Sequence, residues 1–197
     1  MIIGIDFDNT IADYTGVFYD VATDLGWLPT NVGTSKNEVK SYFIDNDIED
    51  KWTELQGIVY GKEITRAKPY ANCVEVLKQL HAQGHQLYII SHKTKYPIIG
   101  EKVNFHIAAT NWLKANAIIG QENSPVSNEN VFFNETKEQK LDRAGHLKCD
   151  VFLDDLPSIL QHEKFPQNCQ GVLFNPYSID NLGLNQVSSW QSVLAMI

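Results

Sequence analysis

Short apolar runs that stop abruptly at polar side chains recur along the chain. Ile2 to Ile5 gives way to Asp6-Phe7-Asp8-Asn9-Thr10, and Gln86-Leu87-Tyr88-Ile89-Ile90 to Ser91-His92-Lys93-Thr94. Asn130-Val131-Phe132-Phe133 runs into Asn134-Glu135-Thr136-Lys137, and Val151-Phe152-Leu153 into Asp154-Asp155. Continuous apolar runs of this length, bounded by polar loops, predict parallel strands buried on both faces. Gly171-Val172-Leu173-Phe174, ahead of Asn175-Pro176, predicts a last strand.

Helical spacing fills the intervals. Val74, Val76, Leu77 and Leu80 line one face, with Asn72 as the predicted N-cap, Glu75 three residues on and Gly84 as the stop. Trp112, Leu113 and Ala117 predict a second helix. Leu141, Ala144 and Leu147 predict a third behind Thr136-Lys137-Glu138-Gln139, a capping-box pattern. Strand, loop and helix alternate, so the predicted fold class is α/β, a three-layer Rossmann-like parallel sheet. Ligands in such sheets gather at the carboxyl ends of strands, so the polar loops should converge on one crevice.

The stretch from Tyr14 to Lys68 interrupts the alternation. Val17, Phe18, Val21, Ala22 and Leu25 precede Gly26 at helical spacing; Ser35-x-x-Glu38 reads as a helix start; Ile48, Trp52, Leu55 and Val59 repeat before Gly61. The expected organisation is a core of residues 1–13 and 69–197 with a small helical cap, residues 14–68, placed after the first strand as a lid. Tyr19, Tyr42, Phe43, Trp52 and Tyr60 are expected to be cap core by their spacing, with stacking on a substrate base as the other role open to them.

Composition narrows the function. The 197 residues carry 16 Lys and Arg against 24 Asp and Glu, a net charge of −8, and are 43% hydrophobic. These are ordinary globular values, which exclude wholesale disorder and basic binding tails. The acidic balance argues against a nucleic-acid polymer as partner, since a phosphate backbone asks for a basic face. No run approaches the ~20 apolar residues that span a bilayer. The N-terminus lacks a basic segment ahead of an apolar one, so no membrane partner and a cytoplasmic location are expected. Cys73, Cys149 and Cys169 are widely spaced and in no C-x-x-C pair, which reads as reduced packing thiols rather than a zinc site.

The chemistry lies at the ends of the apolar runs. Asp6 and Asp8 can aim toward one side, and two acids in a crevice repel each other unless a divalent cation sits between them. Asp154 and Asp155 end another strand in the same way. Oxygen ligands from separate loops suit Mg²⁺ better than zinc. The bland reading of Asp154-Asp155 is an N-cap for the helix holding Ile159 and Leu160. A phosphoryl ligand would also need donors to its oxygens. Ser91 offers a hydroxyl and His92 a backbone N–H; Asn9 and Thr10 shape the first loop, with Thr10 expected to hydrogen-bond Asp6. Lys137, in the first turn of its helix, opposes the macrodipole at a cost of ~0.3–1 kcal/mol unless an anion sits nearby. Lys140, one turn on, competes with it, and Lys137 is favoured because helix N-termini bind anions.

Asp6-Phe7-Asp8-Asn9-Thr10 resembles the D-x-D-x-T loop of the haloacid dehalogenase (HAD)-like hydrolases. Ser91 is similar to their second motif, Lys137 or Lys140 to the third and Asp154-Asp155 to the fourth, in an order that spans nearly the whole chain. The insert resembles their helical cap. Lys68-Pro69-Tyr70 through His92, with Phe152-Leu153-Asp154-Asp155, is similar to the 5′-nucleotidase and deoxyribonucleotidase branch. The resemblance implies a Mg²⁺-dependent phosphatase acting on a small phosphomonoester, a nucleoside monophosphate in that branch. Asp6 would be the nucleophile and Asp8 the acid and base. Asp6, the Asp8 carbonyl, Asp154 and Asp155 would hold the metal, and Ser91 and the lysine the phosphate. Asp8 favours phosphatase over dehalogenase chemistry, because the dehalogenases lack that acid. Two other readings share the fold: a non-catalytic phospholigand-binding protein, and a phosphotransferase that passes the group to an alcohol.

Overall fold

In chain order the elements are β1 (Ile2–Ile5), β2 (Ala12–Asp13), α1 (Val17–Asp24), α2 (Lys36–Asp45), α3 (Glu49–Tyr60), β3 (Lys68–Pro69), α4 (Cys73–Ala82) and β4 (Gln86–His92). Beyond these come α5 (Phe105–Ala115), β5 (Val131–Asn134), α6 (Lys137–His146), β6 (Val151–Asp154), α7 (Pro157–Leu160), β7 (Gln170–Phe174), β8 (Asn185–Val187) and α8 (Trp190–Met196). This computed structural model describes residues 1–177 and 183–197.

Two compact units divide the chain. The first comprises Met1–Ala12, Pro69–Lys93 and Leu113–Ile197; the second comprises Asp13–Lys68 and Thr94–Trp112. Within the first unit, six strands form one sheet in the order β5-β4-β1-β6-β7-β8, and every pairing is parallel. From β1 the chain runs out to β4 and β5 on one side, then returns to β6, β7 and β8 on the other. The order therefore reverses at β1, and the carboxyl ends of β4, β1 and β6 border the crevice that such a switch point creates. The register sets Ile5 beside Ile89 and Leu153, so Asp6 and Asp154 leave their strands at the same level.

The sheet is apolar because both of its faces are covered. On one face Ile90, Phe152 and Leu173 pack with Leu141 and Ala144 of α6 and with Ile159 and Leu160 of α7. On the other, Phe174 meets the fully buried Trp190 of α8 at 6.1 Å between ring centroids. β8 lies beyond β7, so the run at Gly171–Phe174 is not the last strand; the three-residue β8 is too short and mixed to announce itself. Asn72 stands at the predicted position before α4, but in a left-handed conformation with φ 63°, and its side chain caps nothing. Thr136 does cap α6, accepting from Gln139 N at 3.2 Å, while Gln139 Oε1 accepts from Glu135 N rather than from the cap residue.

The second unit is built around aromatic rings. Phe18 lies 5.1 Å from Trp52, Tyr60 lies 5.2 Å from Tyr14, and Phe105 reaches Tyr60 at 6.4 Å. Ser35 starts α2 with a complete capping box to Glu38. Phe43 and Trp52 are buried as the spacing predicts, whereas Tyr19, Tyr42 and Tyr60 are half-buried. Residues 94–112, assigned by sequence to the core, group here because Phe105 and Trp112 find their partners in this unit: Trp112 Nε1 donates to Ala67 O at 2.9 Å. Gly57 makes room for Pro97 of this segment, since a Cβ there would come within 2.9 Å of Pro97 Cβ. All three cysteines are free and buried. No helix among the described residues is long and apolar enough to cross a membrane.

Candidate active site

Asp6 stands directly after β1, and its backbone N–H donates to Leu153 O of β6 at 2.9 Å. This extension of the ladder by one residue brings its carboxylate beside that of Asp154, which ends β6. Lys140 lies on the inner face of α6 and is 1% exposed. Its ammonium donates to Asp6 Oδ1 at 2.6 Å and to Asp154 Oδ2 at 2.5 Å. Lys137, at the first position of the same helix, instead donates to Ser158 Oγ at 3.2 Å. Of the two lysines, the structure brings Lys140 and not Lys137 to Asp6 and Asp154. Position along the helix dipole is a smaller effect than position on the helix: Lys140 falls on the buried face with Leu141 and Ala144, and Lys137 on the flank.

The electrostatics arise from this burial. Desolvation raises the Asp6 carboxyl to about 7, with Lys140 opposing the rise and the charges of Asp154 and Asp8 adding to it. Burial also works against the Lys140 ammonium, but the charges of Asp154 and Asp6 outweigh it and hold the lysine protonated. One buried cation therefore balances part of a cluster of acids.

Oxygens of Asp6, Asp154 and Asp155 lie within 4.8 Å of one another, and these three acids form a candidate cation site among the described residues. Ligand oxygens about 2.1 Å from a magnesium ion lie about 3.0 Å apart when adjacent and about 4.2 Å apart when opposite, so the three would draw together to share one. An all-carboxylate donor set fits a hard cation and gives nothing that would favour zinc. Asp8 points its carboxylate elsewhere, to Lys93 Nζ at 2.8 Å. Neither Asp154 nor Asp155 is the N-cap that the bland reading asked for: Leu156 holds that position before α7 without a side-chain cap, and Asp154 Oδ1 accepts from Leu156 N at 2.9 Å in the turn ahead of the helix. A single carboxylate here serves the turn with one oxygen and the lysine with the other.

Among the described residues of the first unit, two buried hydroxyls remain without a hydrogen-bond partner: Ser91 Oγ at the end of β4 and Thr10 Oγ1 in the loop after β1. Buried hydroxyls are rarely orphaned, and each that is asks for an explanation. The expected bond from Thr10 to Asp6 is therefore absent. Thr10 instead fixes the loop through its carbonyl, which accepts from Trp190 Nε1 at 3.1 Å. Asn9 supplies the turn, with φ 57° and its N–H donating to Ala12 O at 2.8 Å. His92 is exposed, and partial desolvation, then the Lys140 charge, lower its pKa.

Sequence reasoning passes over three contributors. Lys93 reads only as part of a polar run, although a lysine two residues beyond a strand-end serine is signal enough to ask where its charge goes. Asn134 holds the Ser91 loop by donating its side-chain N–H to Ser91 O at 3.1 Å and accepting from Lys93 N at 2.9 Å through its backbone carbonyl. Trp190 reaches Thr10 across 180 residues, a pairing that no local pattern encodes.

Known proteins share this architecture. A protein of Bacillus cereus named "Putative nucleotidase" is 27% identical over 110 residues, and the match covers 56% of this chain but only about half, 49%, of that relative. "Putative Phosphatase from Clostridium difficile" superposes with a TM-score of 0.65 at 14% identity, over 99% of this chain and 97% of that one. The "putative HAD-hydrolase YfnB from Bacillus subtilis bound to magnesium" gives a TM-score of 0.53 at 11% identity, over 99% and 97%. At such identities the likeness is one of fold, and the fold is that of the HAD superfamily. Sequence decides the family: over residues 1–197 the chain matches, and belongs to, the family described as 5′ nucleotidase, deoxy (Pyrimidine), cytosolic type C protein.

Proposed function

We propose that this protein is a Mg²⁺-dependent phosphatase that hydrolyses a small phosphomonoester, a nucleoside 5′-monophosphate by its family membership, through an aspartyl-phosphate on Asp6. The observation that carries the reading is the cluster at the strand tips: three carboxylates within 4.8 Å of one another, with Lys140 bonded to two of them. Residues 13–68 and 94–112 are proposed to act as the cap, and the cytoplasm is the proposed location.

Asp6 Oδ attacks phosphorus and the bond to the leaving oxygen breaks, while Asp8 gives that oxygen its proton. In the second half Asp8 takes a proton from water as the water attacks phosphorus, and the bond to Asp6 breaks to release phosphate. Lys140 and the hydroxyls of Ser91 and Thr10 would donate to the non-bridging oxygens, which accounts for two buried hydroxyls that otherwise lack partners. A magnesium ion held by Asp6, Asp154, Asp155 and the Asp8 carbonyl would supply the positive charge that the phosphoryl oxygens and the Asp6 carboxylate require. Uncatalysed phosphomonoester hydrolysis is among the slowest reactions known, so nucleophile and charge stabilisation are needed together.

The test is phosphate release from p-nitrophenyl phosphate and from a panel of nucleoside and sugar monophosphates, with and without Mg²⁺. Wild type should turn over only with the metal, and Asp6→Asn should lose at least about 10³-fold in kcat while melting cooperatively. Silence of the wild type on every phosphate would leave the binding-protein and phosphotransferase readings, and full activity of Asp6→Asn would remove Asp6 from its role.

A further inference from the structure

We propose that Lys93 is a positioning residue for Asp8, holding its carboxylate in the orientation from which it exchanges protons with the leaving oxygen and with water. The inference rests on the hydrolase reading above. Lys93 lies just past β4 and is 4% exposed. Its Nζ donates to Asp8 Oδ1 at 3.0 Å and lies 2.8 Å from Oδ2, so one ammonium spans both carboxylate oxygens. The lysine is itself located from two directions: its backbone N–H donates to Asn134 O at 2.9 Å, and its ammonium stands 5.5 Å from the centroid of the Phe7 ring.

Burying an ammonium is costly before compensation, and an apolar residue would fill the same space without that cost. What the charge adds is direction. The terminal torsion of an aspartate is broad and roughly two-fold, and a cation shared by both oxygens narrows it. Proton transfer needs heavy atoms about 2.6–3.2 Å apart, and a misplacement of 1 Å can cost about 10²-fold in rate. The other ammonium of the site, Lys140, is bonded to Asp6 and Asp154. The two acids of the first loop thus answer to different lysines: the nucleophile to Lys140 on α6, the proton carrier to Lys93 at the tip of β4.

The experiment is steady-state kinetics on phenyl phosphate and p-nitrophenyl phosphate with wild type, Lys93→Met, Lys93→Arg, Asp8→Asn and the double variant Asp8→Asn/Lys93→Met. Phenyl phosphate has the more basic leaving group and depends more on a proton donor. Lys93→Met is expected to lower kcat/KM on phenyl phosphate about 10²-fold and on p-nitrophenyl phosphate clearly less, with Lys93→Arg recovering to within about tenfold of wild type. In the Asp8→Asn background, loss of the lysine should cost less than about threefold more, because the group it positions is already gone. Equal losses on both substrates with a raised KM would make Lys93 a phosphate ligand and overturn the proposal, as would losses that multiply in the double variant or a fully active Lys93→Met. If Lys93→Met does not melt cooperatively, Lys93→Gln takes its place under the same criteria. A wild type inactive on both aryl phosphates and on the nucleoside and sugar monophosphates sinks the hydrolase reading; an active wild type with any of the contrary results sinks only the role of Lys93.

Discussion

Asp6 is the residue on which burial and charge pull hardest against each other. Its carboxyl is raised from 3.8 to about 7 by desolvation, against the pull of Lys140. A carboxyl with a raised pKa holds its proton more tightly in the folded chain than in the unfolded one, so its stabilising contribution is complete below about pH 4 and lost as the pH climbs toward 7. Metal-free protein is therefore expected to melt at a lower temperature at pH 7.5 than at pH 4.5, by on the order of 5 °C, and Asp6→Asn should flatten that fall. Parallel slopes for the two proteins in differential scanning calorimetry would refute the assignment. The lysines divide in the same residue-by-residue way. Lys140→Ala should lower kcat/KM by at least about 10²-fold and leave Asp6 and Asp154 facing each other without their cation, whereas Lys137→Ala, which loses a bond to Ser158, should stay within about threefold of wild type. The reverse order would restore Lys137 as the phosphate lysine. Neither the Lys140 contact nor the Lys93 contact was legible in the sequence. Spacing along a helix says which residues share a face, but the identity of the face that meets Asp6 is settled by how α6 packs on β4 and β5.

At the scale of elements, the strand tips were legible and the caps only in part. The abrupt change from apolar to polar after Ile5, Ile90 and Leu153 marks the tips because a buried parallel strand has little choice of composition until it leaves the sheet. Asn72 misled because a residue that favours caps also tolerates the left-handed conformation, and here it uses the second property. Thr136 is a true cap, and it starts the helix that carries Lys140. Thr136→Ala should cost about 1 kcal/mol, read as a fall of about 2–4 °C in melting temperature. Its effect on kcat should be small, because Lys140 sits a full turn inside α6, beyond the reach of end fraying. A large kcat loss with unchanged stability would mean that the first turn of α6 itself meets the substrate.

For the whole molecule, the α/β class and the parallel sheet were readable from alternation alone, whereas membership of residues 94–112 in the second unit was not. Chain continuity suggests that the segment after β4 belongs with β4. Phe105 and Trp112 belong instead with Tyr60 and Ala67, because two large apolar side chains are stabilised most where rings already cluster. The net charge of −8 sharpens the expectation for ligands, since an acidic molecule with three carboxylates drawn together should be stabilised by whatever cation it binds. Mg²⁺ with inorganic phosphate, each at about 100 times its dissociation constant, should raise the melting temperature by several degrees, and Asp154→Asn should remove most of the Mg²⁺ part. An unchanged metal titration in that variant would take Asp154 out of the ligand set.

The indole of Trp190 also orders events in time. On the ribosome Thr10 is made 180 residues before the tryptophan that grips its carbonyl, a wait of roughly 10–40 s at ~5–20 residues per second. Throughout that interval the aspartates of the first loop exist without the anchor that gives the loop its shape. Competence should therefore follow only once residue 190 has left the ribosome, and a polypeptide that stops before that residue would carry the reacting groups without the geometry to use them.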